Sequence, residues 1–218
     1  MALVIVDYCK GNLASVQRGF EQAGYNAIIS AQPADILKAD AVVLPGVRAF
    51  ADAAATLVET GQMDAIRQRV LGDGVPFLGL CLGMHLLLSD GVEGAPEGGS
   101  IAGLGLVPGS ALRMEGSCSD GRQVKIPHMG WNSLDFEDCA PSPLFEGVPQ
   151  GTYFYFTHSY MAVPASDDDV LARSTYARPF ASAIGRGNIY GVQFHPEKSS
   201  AMGLRVLHNF GTIVYERS

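Results

Sequence analysis

Short apolar runs alternate with helical patterns along the first ninety residues, and this alternation constrains the fold more than any other feature. The runs are continuous, as in strands buried on both faces, and cover residues 3–6, 27–29, 41–44 and 76–80. Helical patterns lie between and after them: one between the candidate N-cap Asn12 and Gly24, and others at 33–37, 49–60, 62–71 and 82–88. Strand–helix alternation predicts an α/β fold with an open, mostly parallel central sheet and helices on both faces.

The pattern changes after residue 90. A glycine-rich stretch covers 90–105, and strand-like segments follow at 152–160, 170–174, 181–184 and 188–194. We expect them to add an antiparallel strand region to the sheet before a last helix over 201–214. The 218 residues, 17% of them charged, suit one domain spanning residues 1–218.

Composition excludes several classes of function. The net charge of −7 argues against a protein that binds nucleic acid through a basic face, and no apolar run reaches the ~18 residues of a membrane span. The first residues favour a strand over a signal peptide. The four cysteines are spaced too irregularly for a disulfide framework or a zinc site, so we predict a cytoplasmic protein with no metal and no cofactor.

A cysteine flanked by small residues stands at a predicted strand-to-helix junction. The segment Gly79-Leu80-Cys81-Leu82-Gly83 has the spacing of the nucleophile elbow of hydrolases, with cysteine in place of serine. A thiol there lies at a helix N-terminus, which favours the thiolate, and the backbone N–H of Leu82 could donate to an oxyanion. The segment alone fits a buried structural cysteine equally well.

A histidine and a glutamate follow the last predicted strand. His195 could act as the base for Cys81, and Glu197 could fix its tautomer and stabilise the imidazolium. A solvated surface loop is the alternative for this segment taken alone. The elbow and the His-x-Glu pair together make that alternative much weaker.

These motifs, with Pro45-Gly46-Val47 after the third strand, resemble the class I (triad) glutamine amidotransferases, which have a flavodoxin-like sheet. The resemblance covers nearly the whole chain. It implies that Cys81 attacks the side-chain amide of L-glutamine, that ammonia leaves, and that water hydrolyses the glutamyl thioester. It also implies that the backbone N–H of Val47 is a second oxyanion donor beside that of Leu82.

Four segments are similar to the glutaminase subunits of imidazole glycerol phosphate synthases. They are 6–13, 125–132, 155–160 and 195–199, and Lys-Ile-Pro-His-Met-Gly-Trp-Asn at 125–132 is the most specific. The resemblance implies a heterodimer with a (β/α)₈-barrel cyclase. That cyclase receives the ammonia and makes imidazole glycerol phosphate and the aminoimidazole carboxamide ribotide of purine synthesis (AICAR) in histidine biosynthesis.

The same resemblance carries further site residues by position. Those implied to hold the substrate glutamine are Gly46, His85, Glu93, Ser159 and Tyr160. Those implied to contact the cyclase are Met129, Trp131, Asn132 and Lys198. For Glu93 an exposed acid in a glycine-rich loop is the alternative, and for Trp131 a core position.

Two residues depart from the family pattern near the site. Arg48 stands where the family usually has a glycine that permits a peptide flip, and a positive φ there would cost arginine about 1–2 kcal/mol more. His85 stands where the family usually has glutamine. We hypothesise that Arg48 alters formation of the oxyanion hole and that His85 weakens glutamine binding or makes it pH-dependent.

Other functions remain open from the sequence. Another triad amidotransferase, serving a pyridoxal, anthranilate or cell-surface sugar pathway, would lack a use for segment 125–132. A non-catalytic regulatory subunit would not need Cys81, His195 and Glu197 together. A cysteine peptidase on a related fold fits the pocket residues less well.

Overall fold

A computed structural model describes residues 2–8, 12–118 and 120–216 of the chain. Cys9, Lys10 and Gly11 of the predicted N-terminal motif lie outside the described residues. The strands in chain order are β1 (Leu3–Val6), β2 (Ala27–Ser30), β3 (Ala41–Leu44), β4 (Phe77–Leu80), β5 (Leu88–Gly91), β6 (Ile101–Ala102), β7 (Val107–Arg113), β8 (His128–Ser133), β9 (Tyr153–His158), β10 (Tyr160–Pro164), β11 (Val170–Thr175), β12 (Pro179–Arg186) and β13 (Ile189–Val192).

The α-helices in chain order are α1 (Leu13–Gln22), α2 (Pro33–Ile36), α3 (Phe50–Glu59), α4 (Gln62–Arg67), α5 (Leu82–Leu86) and α6 (Ser200–Tyr215). A π-helical turn at Gln68–Gly72 continues α4. Single 3₁₀ turns occur at Pro143–Phe145, Asp167–Asp169 and Pro196–Lys198. In the described part of the chain, every helix is too short or too polar to cross a lipid bilayer.

The main sheet confirms the predicted fold class. Its strands lie in the order β2-β1-β3-β4-β13-β12-β10-β7-β5-β6, with β11 paired to β12. The strands from β2 to β13 pair in parallel, and those from β13 through β12 and β10 to β7 pair antiparallel. The predicted antiparallel region therefore extends the parallel half.

Alternate residues of the central strands pack on opposite faces of the sheet. Val4 and Val6 of β1 join the core beneath α2, α3 and α4, whereas Leu3 and Ile5 join the core beneath α1 and α6. Because both faces are covered, a strand such as β1 is apolar throughout, and this explains why the continuous runs predicted it correctly.

Several element boundaries differ from the sequence prediction. The helix expected over 82–88 ends at Leu86, because Leu88 begins β5. The strand expected over 152–160 is two strands, since the chain bends at Ser159 and passes from one sheet to another. β8 and β9 form a separate antiparallel sheet, in which Trp131 pairs with Tyr155. We call this two-stranded sheet the β8–β9 ribbon.

Candidate active site

The order of the central strands brings three predicted segments to one edge of the sheet. β4 lies between β3 and β13, and all three are parallel. Their carboxyl ends lead into Gly46 after β3, Cys81 after β4 and His195 after β13. Ligands bind at this edge of open parallel sheets, so the topology alone brings the motifs together.

The elbow at Cys81 is fixed by close packing of backbone on backbone. Cys81 has φ 54° and ψ −107°, which a non-glycine residue adopts only under constraint from its surroundings. A Cβ at Gly83 would overlap the carbonyl oxygen of Leu44, and one at Gly79 would overlap the carbonyl oxygen of Gly83. The two glycines thus allow the sharp turn that the sequence predicts.

His195 lies between a carboxylate and the thiol. Its Nδ1 donates to Oε1 of Glu197 at 2.9 Å. Its Nε2 is buried within electrostatic reach of the Cys81 sulfur, although no hydrogen bond of good geometry joins those two atoms. Burial disfavours the imidazolium, but interactions with Cys81 and Glu197 outweigh burial and raise the pKa of His195 to about 10. The arrangement favours an imidazolium paired with charged neighbours.

Asn12 also bonds the Glu197 carboxylate. Its side-chain amide donates to Oε1 of Glu197 at 3.2 Å. The sequence predicted Asn12 as the N-cap of α1; its backbone precedes the helix, but its side chain makes no capping hydrogen bond. The prediction that Asn12 is the N-cap residue is confirmed, and its amide nitrogen is engaged by Glu197. Asn12 is a site residue that sequence reasoning missed, although it lies within a segment singled out as a motif.

Two polar groups face the Cys81 sulfur besides His195. The carbonyl oxygen of Thr157 lies 3.9 Å from Sγ, and Nε2 of Gln193 lies 3.7 Å from it. Oε1 of Gln193 is 2.7 Å from Nε2 of His85. Sequence reasoning gave no role to Thr157 or Gln193, because neither residue type marks a nucleophile site by itself.

A cavity of about 280 Å³ opens above the sulfur. The predicted catalytic, oxyanion and glutamine-binding residues, apart from Glu197, all line it, together with four further residues. The predicted ones are Gly46, Val47, Cys81, Leu82, His85, Glu93, Ser159, Tyr160 and His195, and the others are Arg48, Pro127, Thr157 and His158.

The two predicted oxyanion donors, Val47 and Leu82, both line this cavity. Leu82 is the first residue of α5, so its backbone N–H has no acceptor within the helix. Val47 lines the cavity with its side chain half exposed. Next to it, a Cβ at Gly46 would overlap the Tyr8 hydroxyl, so close approach requires glycine there. The backbone of Arg48 does not adopt a positive φ, so the strain considered from the sequence is absent from this conformation.

Glu93 and His85, two of the residues implied to hold glutamine, differ in their surroundings. Glu93 is partly buried and accepts a hydrogen bond from the backbone N–H of Phe50 at 2.9 Å. Burial raises the pKa of Glu93 despite that hydrogen bond, and the charge of Asp52 raises it further. Burial lowers the pKa of His85 to about 4, and the hydrogen bond with Gln193 offsets only part of this effect. A neutral His85 between pH 6 and 8 is at odds with the hypothesis of pH-dependent glutamine binding in that range.

The β8–β9 ribbon presents large side chains to solvent. Met129, Trp131 and Tyr153 are 68%, 51% and 60% exposed, and the ring of Tyr155 packs edge-on against Trp131 at 6.2 Å. In β9 the outward-facing residues alternate with the buried Phe154, Phe156 and His158, as the pleat requires, and in β8 only His128 is buried. An exposed apolar surface of this kind is typical of a protein–protein contact.

The other two predicted interface residues lie nearby but differ from each other. Lys198 is exposed in the turn after His195. The side chain of Asn132 is held within the chain: its amide donates to the carbonyl oxygen of Thr175 at 2.9 Å, and its Oδ1 accepts from the backbone N–H of Ser133 at 2.8 Å.

The backbone of β9 contacts both members of the catalytic pair, Cys81 and His195. The carbonyl oxygen of Tyr155 accepts from the backbone N–H of His195 at 2.9 Å, and two residues along the strand the carbonyl of Thr157 faces Cys81. Ser199 adds a third connection, since its hydroxyl accepts from the N–H of Tyr155 at 3.0 Å and donates to the carbonyl of His195. A shift of the ribbon would therefore move the thiol's surroundings and the imidazole.

Two buried histidines connect the ribbon to the pocket wall. Nδ1 of His158 lies 2.8 Å from the carbonyl oxygen of Tyr160, so Nδ1 carries the proton and Nε2 is an acceptor. Nδ1 of His128 lies 3.0 Å from that Nε2 and must then donate to it. Burial lowers the pKa of His128 to about 4 and that of His158 to about 3. Both rings are thus neutral and have defined tautomers.

Comparison with known sequences identifies one family and several similar proteins that share one name. The profile of a family described as "Glutamine amidotransferase class-I" matches residues 4–213. The chain is 48% identical to the imidazole glycerol phosphate synthase subunit HisH of Moorella thermoacetica, over 97% of this chain and 95% of that protein. Two further proteins with that name, from Geobacter sulfurreducens and Syntrophotalea carbinolica, are 45% and 44% identical, each over 96% of this chain and over 97% and 98% of their own lengths.

Comparison with solved structures supports the fold. A crystal structure of a glutamine amidotransferase aligns with a TM-score of 0.72 at 20% identity, covering 98% of each chain. The structure of the CTPS glutaminase domain from Trypanosoma brucei aligns with a TM-score of 0.65 at 14% identity, covering all of this chain and 94% of the other.

Proposed function

The chain belongs to the class I glutamine amidotransferase family, and from this premise we propose that it is the glutaminase subunit of an imidazole glycerol phosphate synthase, acting in histidine biosynthesis. It hydrolyses L-glutamine to glutamate and ammonia. The observation that carries the proposal is the position of His195, which bonds Glu197 through one ring nitrogen and faces the Cys81 thiol with the other at the base of a cavity.

The reaction follows from these positions. The thiolate of Cys81 attacks the carboxamide carbon of glutamine, and the oxyanion accepts hydrogen bonds from the backbone N–H groups of Val47 and Leu82. The His195 imidazolium gives its Nε2 proton to the leaving nitrogen, and ammonia departs. Neutral His195 then takes a proton from water, which attacks the glutamyl thioester and releases glutamate. Glu197 stabilises the imidazolium formed on each pass.

Pocket residues select glutamine over a peptide. Glu93 is the carboxylate that accepts from the substrate's α-ammonium, and Gly46, Ser159 and Tyr160 form the walls around its backbone atoms. A pocket of about 280 Å³ suits a free amino acid.

The ammonia is used by a second protein. Ammonia released into water at neutral pH is mostly ammonium, which is not a nucleophile, so a glutaminase of this kind docks onto the enzyme that consumes the product. We propose a (β/α)₈-barrel cyclase that forms a heterodimer through the β8–β9 ribbon. Met129 and Trp131 supply apolar anchors, and Lys198 supplies a charge at the rim of the interface. Asn132 holds the end of the ribbon in place through its hydrogen bond to the Thr175 carbonyl. A reduced catalytic thiol also points to the cytoplasm as its location.

Glutamate release from glutamine tests the proposal. The chain is assayed alone, with a cyclase subunit, and with that subunit plus its nucleotide ligand, with Cys81→Ala as the blank. We expect strong activation by the loaded cyclase and no activity in the variant. If the rate of glutamate release is the same with and without the cyclase, another synthase is favoured as the partner. If no glutamate is released under any condition, the glutaminase assignment is overturned.

A further inference from the structure

Gln193 is a buried amide that bridges the nucleophile and a histidine. Its side chain has no exposed surface. Oε1 lies 2.7 Å from Nε2 of His85, and Nε2 lies 3.7 Å from Sγ of Cys81. His85 is also buried, so water does not compete for these groups. One end of this buried amide therefore contacts the sulfur of the proposed nucleophile.

The chemistry of the three groups fixes the direction of both hydrogen bonds. An amide oxygen facing a thiolate would be repelled, whereas an amide N–H donates to it, so the NH₂ group must face Cys81. The oxygen then faces His85, and only an Nε2–H tautomer of the neutral imidazole can donate to it. His85 thereby selects which end of the Gln193 amide reaches the sulfur.

We infer that Gln193 is a thiolate-stabilising donor to Cys81, and that His85 is a positioning residue that acts through Gln193. This rests on the proposed role of Cys81 as nucleophile. When Cys81 is a thiol, its S–H points to the carbonyl oxygen of Thr157 at 3.9 Å. When it is a thiolate, Sγ accepts from the Gln193 amide and faces the His195 imidazolium. The amide therefore favours the charged form only.

The pH profile of Cys81 alkylation by iodoacetamide measures this directly. The rate is followed at Cys81 by peptide mass spectrometry, because Cys118 and Cys139 are also free. In Gln193→Met, loss of a hydrogen bond to a charged acceptor raises the alkylation midpoint by about one pH unit. Below the midpoint the rate falls about three- to fourfold, and above it the rate rises about threefold, because a more basic thiolate is a better nucleophile.

Variants at His85 test the positioning role. His85→Leu leaves the Gln193 oxygen without its donor and lets the amide turn, so the midpoint moves upward by less than in Gln193→Met. His85→Gln restores an N–H donor at that position and keeps the wild-type midpoint. Because His85 acts only through Gln193, adding His85→Leu to Gln193→Met shifts the midpoint no further.

Gln62→Met is the matched control for burying a thioether in place of an amide. Gln62 is fully buried, and its amide donates to the carbonyls of Asp7 and Ala31. The Gln62→Met variant is expected to be less stable than the parent chain but to keep its Cys81 alkylation midpoint. If Gln193→Met does not fold, Gln193→Asn serves instead, since its shorter side chain keeps a buried amide but cannot bridge both partners.

An unchanged midpoint in a folded Gln193 variant would overturn the inference about the amide. An equal shift in His85→Gln and His85→Leu would overturn the positioning role. Alkylation needs neither glutamine nor a cyclase, so these outcomes are independent of whether the glutaminase assay succeeds.

Discussion

The elbow and the β8–β9 ribbon meet at the same cavity but are built by opposite means. At the elbow, the backbones of β3, β4 and α5 are in close contact at Gly79 and Gly83. In the ribbon, strands outside the main sheet present Met129 and Trp131 to solvent. The elbow's geometry is set entirely by contacts within this chain. The ribbon, in contrast, leaves large apolar side chains exposed to water, which is unfavourable. The comparison teaches that the nucleophile is preformed, and that the strand whose carbonyls contact its surroundings carries an exposed apolar surface.

The largest expected effect concerns the elbow. A methyl group at Gly83 would overlap the Leu44 carbonyl oxygen, which belongs to a strand and cannot give way. Gly83→Ala is expected to lower the free energy of unfolding by more than about 4 kcal/mol or to prevent folding. Gly72→Ala is the control, since a methyl group there would have no atom within 4 Å and its φ lies outside the left-handed region. Urea denaturation of both variants measures the difference, and similar losses would contradict a sterically closed elbow.

The two regions also differ in how far the sequence predicted them. The strands next to the elbow are buried on both faces, so a continuous apolar run identified them, and parallel order then placed Gly46, Cys81 and His195 at one edge. The ribbon strand β8 was not predicted. Only His128 of its six residues is buried, and it carries a glycine at φ 138°, so no local pattern separates it from a loop.

Contacts between distant segments were the other part that the sequence could not supply. Asn12 and Glu197 are 185 positions apart, and Gln193 and His85 are 108 apart. Local rules assign an asparagine before a helix to the N-cap position, which Asn12 occupies, but they do not show that its amide donates to a carboxylate near the other end of the chain. The resemblance to a family supplied the pocket residues. The pairings among those side chains depend on the tertiary fold.

A second prediction concerns the exposed surface of the ribbon. Trp131→Ala removes the largest apolar anchor, and we expect cyclase binding to weaken by about 2 kcal/mol, or roughly thirtyfold in Kd. Stability should change by less than about 0.5 kcal/mol, because the ring is 51% exposed. Binding is measured by calorimetry with the purified cyclase subunit.

Tyr215→Ala provides a matched control for that experiment. Tyr215 is an aromatic residue that is 71% exposed at the end of α6, away from the ribbon. Its loss should leave cyclase affinity unchanged. If Trp131→Ala binds as tightly as Tyr215→Ala, the interface lies elsewhere on the chain.

The smallest expected effect is a difference between the two regions in how their contributions to stability depend on pH. Burial lowers the pKa values of His128 and His158 in the ribbon to about 4 and about 3, below the unfolded value near 6.5. Their stabilising contribution is therefore present above pH 6.5 and is lost as the pH falls toward 4. The pKa of His195 at the elbow is raised to about 10, so its contribution is present below pH 6.5 and is lost as the pH rises toward 10.

His128→Phe separates these two slopes. Phenylalanine keeps the stacking against Tyr176 and Phe156, at ring distances of 4.1 and 5.1 Å, but cannot take up a proton. Between pH 6 and 5 we expect the variant to lose about 1 kcal/mol less stability than the parent chain, somewhat below the ~1.4 kcal/mol per pH unit of one fully shielded group. Urea denaturation at pH 5, 6, 7.5 and 9 tests this. The alkaline side should be the same in both proteins, because it reports His195, and an acid slope equal to that of the parent would show that the ribbon's histidines do not set the acid limit.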